Sequence, residues 1–140
     1  MAATILVVDD EETARMVMSE FLRSKGYEVL EAGTLADARA VISEGVADIV
    51  VLDVRLPDGY GPHLLTETSR LPLRPQVIIV TAHGEVSMAV EAMKNGAQDF
   101  MEKPIDLLEL EKSVNRAAEV IFMRRELAHF RSNKGNLDEF

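Results

Sequence analysis

Residues 47–59 read ADIVVLDVRLPDG. The run Ile49–Leu52 is apolar and mostly β-branched, which is typical of a strand buried on both faces of a parallel sheet. Asp53 stands where that strand should end, and Pro57–Gly59 has the chemistry of a turn. A carboxylate beside such a run is costly unless it is solvated, paired or metal-bound. Since ligands of open parallel sheets sit at the carboxyl ends of the strands, Asp53 is the first candidate for chemistry.

Four other segments complete the predicted sheet. Ile5–Val8 and Val77–Val80 are equally apolar, whereas Glu28–Ala32 and Asp99–Glu102 mix apolar with charged residues. A helical pattern follows each of the five strands, which predicts an α/β fold with helices on both faces of a parallel sheet. The apolar strands should be central and the mixed ones at the edges. Right-handed crossovers then predict a doubly wound, flavodoxin-like (βα)5 fold with strand order 2-1-3-4-5.

Apolar spacing predicts which helix faces pack inward. For the first helix, the inward residues are Ala14, Val17, Met18, Phe21 and Leu22. For the fourth helix, they are Val86, Ala89, Val90 and Met93. For the last helix, they are Leu107, Leu110, Val114, Ala117 and Ile121.

The last helix is expected to be unusually long. It opens after Asp106 and meets no clear stop before residues 132–135, which is about 25 residues. Its inward face fits the domain only to Ile121, which predicts a domain over residues 1–121 and a helical tail over 122–140. A second stripe there is spaced as in a coiled-coil seam and consists of Val120, Met123, Leu127 and Phe130. Either the tail is a frayed amphipathic end or, as we expect, the stripe packs on a second copy of the chain.

Composition limits the possible functions. The 140 residues suit one domain, and a net charge of −9 argues against nonspecific binding of nucleic acid or anionic membranes. The absence of cysteine excludes disulfides and thiolate metal sites. No secretory signal or membrane-spanning run is apparent, so we expect a cytoplasmic protein.

Polar residues follow four of the predicted strands. Asp9 and Asp10 end the first, Asp53 the third, Thr81 the fourth, and Lys103 the fifth. Three neighbouring carboxylates repel one another, and Mg²⁺ would relieve that repulsion. One of them could then act as a nucleophile and form an acyl phosphate. Each residue taken alone has a structural explanation, such as capping a helix or starting a turn, but their joint occurrence favours a site.

These motifs resemble a known family. VVDDE at 7–11, LDVRLPDG at 52–59, Thr81-Ala82 and Lys103-Pro104 are similar to the response-regulator receiver domain of two-component signalling, over about residues 4–121. The resemblance implies that Asp53 accepts a phosphoryl group from a phosphohistidine of a sensor histidine kinase. It also implies Mg²⁺ as the cofactor, bound by the side chains of Asp10 and Asp53, with Asp9 in support and the backbone carbonyl of Arg55 as a further ligand.

The same resemblance implies a switch. Thr81 and Lys103 would contact the phosphoryl group, and the Lys103–Pro104 peptide bond would be cis. Phe100, three residues before Lys103, matches the aromatic residue that turns inward once Thr81 moves. The structural alternative is that Phe100 is an ordinary core residue of an edge strand.

A narrower resemblance concerns residues 81–85, 89–97 and 99–104, which look like receivers of the NtrC type. It implies a helical linker that leads to an ATPase activating sigma-54 transcription. Receivers of the FixJ type share the pattern of residues 84–104 and are an alternative, as is a stand-alone receiver. The sequence contains no P-loop and no DNA-binding helix pair, so we expect no direct nucleic-acid binding here.

Two enzyme or ligand-binding classes are less consistent with the residues. An aspartyl phosphatase of the haloacid-dehalogenase class needs an aspartate two residues after its nucleophile, but Arg55 occupies that position and cannot donate a proton. A flavin or nucleotide module needs a phosphate-cradling first loop, whereas residues 9–12 are all acidic. We therefore expect a regulatory phosphoacceptor and not an enzyme.

Overall fold

Five parallel strands form the central sheet of the computed structural model, which describes residues 3–138 and the side chains of residues 3–131. The five strands are β1 (Thr4–Val8), β2 (Glu28–Ala32), β3 (Ile49–Asp53), β6 (Gln76–Thr81) and β7 (Asp99–Glu102). A separate hairpin contains β4 (Arg55–Leu56) and β5 (Gly59–Tyr60). The helices are α1 (Glu12–Ser24), α2 (Leu35–Ser43), α3 (His63–Thr68), α4 (Val86–Lys94) and α5 (Leu107–Asp138).

The strand order is β2-β1-β3-β6-β7, which confirms the predicted flavodoxin-like order 2-1-3-4-5. All five residues of β3 are buried, as expected for the central strand. The register places Val8 beside Leu52, and Asp53 beside Val80. The carboxyl ends of the central strands are therefore level with one another, and the side chains that follow them emerge at one edge of the sheet.

The β4–β5 hairpin is a feature that the sequence pattern did not predict beyond its turn. Each of its strands has only two residues, too few to show an alternating pattern. Asp58, at the turn, accepts hydrogen bonds from the N–H groups of Leu35 and Ala36 at 2.8 and 3.0 Å. These bonds lower the pKa of Asp58, and they join the hairpin to the first turn of α2.

The predicted inward face of α4 was partly wrong, since only Ala89 of its four residues is buried. Its buried residues are Ala89 and Ala92, whereas Val86, Val90 and Met93 are exposed, Val90 to 45%. Alanine lets a helix lie close to a sheet, and α4 presents its small side chains to β6 and β7 for that reason. Val86, Val90 and Met93 are left on the outer side of the helix, whereas Met88 is partly buried against the core.

The inward face of α1 was partly wrong. Met18 and Leu22 are buried as predicted, but Val17 is exposed and Ser19 is buried in its place. The helix is thus rotated toward Ser19. Apolar spacing could not reveal this, because Ser19 is the polar member of the buried face.

The last helix is longer than predicted. It runs for 32 residues from Leu107 to Asp138, about 48 Å, and passes through Gly135. A single glycine costs a helix about 1 kcal/mol, which is not enough to end it. Asp106 caps its first turn by accepting the Leu108 N–H at 2.9 Å. Four of the predicted inward residues are buried, namely Leu110, Val114, Ala117 and Ile121.

Contacts between α5 and the rest of the domain continue beyond Ile121. Arg124 donates a hydrogen bond of 2.8 Å to the carbonyl of Arg74, and Arg125 forms an ion pair of 2.7 Å with Asp48. Asp48 directly precedes β3 and Arg74 lies two residues before β6, so these contacts lie at the edge of the sheet where strands begin. Within residues 3–138, no helix has the combination of length and apolar character needed to cross a membrane.

Candidate functional site

The carboxyl edge of the sheet brings three carboxylates together. Asp9 follows β1, Asp53 is the last residue of β3, and Asp10 lies beside Asp9. One carboxylate oxygen from each lies within 4.8 Å of those of the other two. Asp9 and Asp53 are 1% and 8% exposed, whereas Asp10 is exposed. The site is therefore a buried pair of acids with a third acid at its opening.

Lys103 lies between the two buried acids. Its Nζ is 3.0 Å from Oδ2 of Asp53 and 3.3 Å from Oδ2 of Asp9. Burial alone would lower the pKa of Lys103, but the hydrogen bond and charge of Asp53, with the charge of Asp9, raise it above its usual value. Lys103 is therefore a fixed positive charge at the site.

Burial raises the pKa of Asp53 above the usual value for aspartate. The hydrogen bond and charge of Lys103 oppose this effect, and the negative charge of Asp9 adds to it. A raised pKa means that the ionised carboxylate is poorly compensated in this environment. Further positive charge would stabilise it.

One carboxylate oxygen of Asp9 is available to bind a cation. Its Oδ1 accepts the Glu11 N–H at 2.9 Å, but the buried Oδ2 makes no hydrogen bond with any described residue. The 3.3 Å contact with Lys103 is close enough for charge attraction, although its geometry is not that of a hydrogen bond. Carboxylate oxygens are the ligands that Mg²⁺ prefers, so the donor set fits this ion.

Thr81 ends β6 at the same edge, but its hydroxyl is engaged away from Asp53. The Oγ1 donates a hydrogen bond of 3.3 Å to the carbonyl of Glu85, in the loop before α4. The Thr81 carbonyl accepts the N–H of Lys103 at 2.8 Å. Thr81 is thus tied through its backbone to Lys103 and through its side chain to the next loop.

Arg55 contacts the site through its backbone. Its N–H donates to Oδ1 of Asp53 at 3.4 Å. Its guanidinium forms an ion pair with Glu85, with Nε 3.1 Å from Oε1. Glu85 is a residue that sequence reasoning missed, because nothing in the pattern links two positions 30 residues apart.

Gly61 was also missed. A Cβ atom at this position would lie 2.1 Å from the carbonyl oxygen of Asp53 and 3.1 Å from its carbonyl carbon. The Gly61 N–H donates to the carbonyl of Val54 at 2.7 Å, so the chain passes directly against the end of β3. Only glycine fits this approach.

The remaining predicted residues lie outside the acidic cluster. Phe100 is half-buried in β7 and packs against the core, and the Lys103–Pro104 peptide bond is cis. On α5, Val120 is half-buried. Three further members of the predicted stripe are exposed: Met123, Leu127 and Phe130, the last to 65%.

Comparison with known proteins identifies relatives of the whole domain. The response regulator receiver domain matches residues 5–115. The chain is 37% identical over 125 residues to the regulatory protein AtoC of Escherichia coli (strain K12), covering 89% of this chain and 27% of AtoC. It is 38% identical over 117 residues to the transcriptional regulatory protein FixJ of Rhizobium meliloti (strain 1021), covering 83% of this chain and 57% of FixJ. The chain thus spans less than two thirds of either relative.

Solved structures give the same result. The crystal structure of NtrX from Brucella abortus in complex with ADP superposes with a TM-score of 0.85 at 35% identity, over 96% of this chain and 30% of that one. The solution structure of the beryllofluoride-activated NtrC4 receiver domain dimer has a TM-score of 0.78 at 36% identity, over 84% of this chain and 98% of that one. With a family match over most of its length, the chain belongs to the response regulator receiver family of two-component signalling, among whose members it is similar to NtrC-type regulators.

Proposed function

We propose that Asp53 accepts a phosphoryl group from a phosphohistidine of a sensor histidine kinase. The observation that carries this proposal is the placement of Asp53 among two further carboxylates and one lysine, with Nζ of Lys103 at 3.0 Å. The raised pKa of Asp53 supports it, since a poorly compensated carboxylate gains from added positive charge. The domain is regulatory in this proposal, and its only chemistry is its own phosphorylation and dephosphorylation.

The reaction forms an acyl phosphate. An ionised oxygen of Asp53 attacks phosphorus, a P–O bond forms, and the P–N bond breaks with its electron pair leaving on the histidine of the kinase. Lys103 already contacts Oδ2 of Asp53, and the phosphoryl oxygens would lie next to this carboxylate. The fixed positive charge of Lys103 would therefore be close to them. The N–H of Arg55 holds the other oxygen of Asp53 and orients the carboxylate.

We propose Mg²⁺ as the cofactor, held by the carboxylates of Asp9, Asp10 and Asp53 and by the backbone carbonyl of Arg55. The Oδ2 of Asp9 supports this set, since it makes no hydrogen bond with a described residue and only a charge contact of 3.3 Å with Lys103. When bound, Mg²⁺ neutralises the carboxylates and the incoming phosphoryl oxygens. Asp9 and Asp10 then serve to position the ion, and Asp53 is left as the nucleophile.

The switch in this proposal consists of Thr81 and Phe100. To contact a phosphoryl group on Asp53, the hydroxyl of Thr81 must give up its hydrogen bond to the Glu85 carbonyl. Phe100 is half-buried and would move further inward into the space that Thr81 leaves. Phosphorylation would thereby shift a two-state equilibrium of β6, β7, α4 and α5.

Incubation with Mg²⁺ and acetyl phosphate, followed by intact-mass measurement, tests the proposal. We expect one phosphoryl adduct, which is absent in Asp53→Asn and after Mg²⁺ is chelated. Asp58→Asn is the matched control. It removes a carboxylate from the same segment, but the Asp58 side chain bonds to the first turn of α2 and not to the site, so this variant should still form the adduct. Rapid turnover of phosphomonoesters with no adduct would instead indicate a phosphatase and contradict the proposal.

We further propose that residues 1–121 are the receiver and that 122–140 are a helical linker to an output of the NtrC type that controls transcription. The continuous α5 supports a linker, and relatives such as AtoC supply the expected class. A FixJ-type output or a stand-alone receiver are the alternatives. The net charge of −9 supports the absence of direct nucleic-acid binding by this segment, and the cysteine-free composition fits a cytoplasmic location.

The exposed stripe on α5 leads us to propose a homodimer. Met123, Leu127 and Phe130 lie at seam spacing on a helix that extends past the domain, and a second copy of the same helix would bury them. The NtrC4 receiver with which this domain superposes is described as a dimer. Phosphorylation at Asp53 would then strengthen or rearrange the dimer.

Leu127→Gln should weaken the dimer, because one apolar side chain is lost from each of the two facing helices. Sedimentation velocity at micromolar concentration should show a shift toward monomer. Leu108→Gln is the control: it makes the same change at an exposed leucine of α5 outside the stripe. A wild-type protein that sediments as a monomer, with and without beryllofluoride, would contradict the dimer.

A further inference from the structure

The loop between β6 and α4, residues 82–85, is held by a carboxylate contact on each side. On one side, the Glu85 carboxylate pairs with Arg55, with distances of 3.1 and 3.3 Å from Nε to its two oxygens. On the other side, Oε2 of Glu102 accepts the Gly84 N–H at 3.3 Å. Arg55 lies two residues after Asp53, and Glu102 directly precedes Lys103. The loop is thus attached to both segments that carry the site.

These contacts close a ring that begins and ends at Asp53. Oδ1 of Asp53 accepts the Arg55 N–H, and the Arg55 guanidinium pairs with Glu85. The Glu85 carbonyl accepts the Thr81 hydroxyl, and the Thr81 carbonyl accepts the Lys103 N–H. Nζ of Lys103 returns to Oδ2 of Asp53. Each of the other links includes a group of Asp53, Thr81 or Lys103, the three residues proposed to carry or contact the phosphoryl group. The Arg55–Glu85 ion pair is the one link among these that can be removed without altering any of the three.

We propose that the Arg55–Glu85 ion pair is a positioning contact that stabilises the unphosphorylated arrangement of Thr81 and so sets how readily phosphorylation of Asp53 shifts the switch. The inference rests on the proposed function of Asp53 and deepens it. While Glu85 is held by Arg55, its carbonyl stays within reach of the Thr81 hydroxyl. When the pair separates, the loop is free to move and the hydroxyl is released.

The size of this effect follows from the exposure of the pair. The side chain of Arg55 is 63% exposed and that of Glu85 is 29% exposed, so solvent screens their attraction. Pairs of this kind shift an equilibrium about two- to fivefold. Such a shift is too small to lock the domain in one state. It is large enough to change the fraction that is switched on at partial phosphorylation.

Hydrogen–deuterium exchange of the amides of residues 82–88 tests the inference directly in the full chain. In Mg²⁺ without a phosphoryl donor, Glu85→Gln should raise their exchange rate about two- to fivefold. By linkage, beryllofluoride should bind to Glu85→Gln more tightly by up to the same factor. Glu67→Gln is the matched control, since it breaks an exposed Arg–Glu pair between α2 and α3, with Arg39 at 2.9 Å.

Two further measurements separate a pairwise contact from general damage to the loop. After Glu85→Gln, adding Arg55→Gln should cause no further change in exchange, because the contact is already absent. Raising the salt concentration from about 0.05 M to about 0.5 M should speed exchange in the wild type but not in Glu85→Gln. Unchanged exchange in Glu85→Gln, or additive effects of the two substitutions, would overturn the inference.

The outcomes also distinguish this inference from the proposed function. Exchange in the absence of a phosphoryl donor reports only on the loop. If acetyl phosphate gave no adduct on Asp53 while the exchange results were as expected, the phosphoacceptor role would be wrong and the pair would be a contact without that consequence. If the adduct formed and exchange were unchanged, only the role of the pair would be wrong.

Discussion

Gly61→Ala should unfold at a much lower urea concentration than the wild type. The new Cβ would lie 2.1 Å from the carbonyl oxygen of Asp53, where ordinary contact needs at least 3.4 Å. The two nearest atoms, the carbonyl oxygen and carbon of Asp53, are backbone atoms, so β3 or the hairpin must shift and no side-chain rotation can relieve the clash. Overpacking of this severity costs about 3 kcal/mol, which lowers the urea midpoint by roughly 1–2 M.

The control for this prediction is Gly33→Ala. The nearest atom to a Cβ at Gly33 is the terminal nitrogen of the Arg15 side chain at 3.2 Å, and the end of this long side chain would have to move by only a few tenths of an ångström. We expect a change within about 0.5 kcal/mol. Equal urea midpoints for the two variants would show that the close approach at Asp53 is not as constrained as the structure indicates. If Gly61→Ala remains folded, the phosphorylation of Asp53 should also slow. A shift of the Asp53 carbonyl moves the backbone of that residue and with it the carboxylate that is to be phosphorylated.

Asp9→Asn should weaken Mg²⁺ binding at least about tenfold. Loss of a residue that only hydrogen-bonds to a metal ligand already lowers metal affinity about 10–100-fold. The substitution keeps the shape of the side chain and leaves one oxygen to accept the Glu11 N–H. It removes the negative charge that Lys103 and the ion would share. Titration calorimetry with magnesium chloride measures the effect.

Glu12→Gln provides the matched control for the magnesium experiment. It removes one charge from the same acidic run, but Glu12 lies in the first turn of α1 and outside the three-carboxylate cluster. We expect its affinity for Mg²⁺ to be nearly that of the wild type. If both variants lost affinity equally, the acidic run would act through its general field and Asp9 would not be a ligand.

The sheet could be predicted from the sequence because its central strands are continuous apolar runs. The apolar, mostly β-branched run Ile49–Leu52 favours a strand buried on both faces, and right-handed crossovers are then met by one simple order. The same order predicts that Asp9, Asp53 and Lys103 lie at one edge, where Nζ of Lys103 is 3.0 Å from Asp53 and 3.3 Å from Asp9. It could not show that the Thr81 hydroxyl would be engaged by the next loop.

Other features depend on contacts that spacing does not reveal. The face of α4 was predicted correctly only at Ala89, because packing distance, and not hydrophobicity, selects Ala92 over Val90 as the second buried residue. The pairing of Arg55 with Glu85 depends on where two loops lie in space, and charged residues are common in loops. The end of α5 was misplaced because Gly135 costs too little to stop a helix that continues favourably on both sides.

The two arginine contacts of α5 have a mechanical consequence. Arg124 and Arg125 fasten the helix to the domain at the far edge of the sheet, so the helix behaves as a cantilever whose root is near Arg125. Beyond Arg125, from Glu126 to Asp138, the helix continues as an arm roughly 20 Å long. A small tilt at the root is magnified along that arm in proportion to its length. Movements of a fraction of an ångström at Asp48 or Arg74 would therefore become displacements of several times that size at the tip.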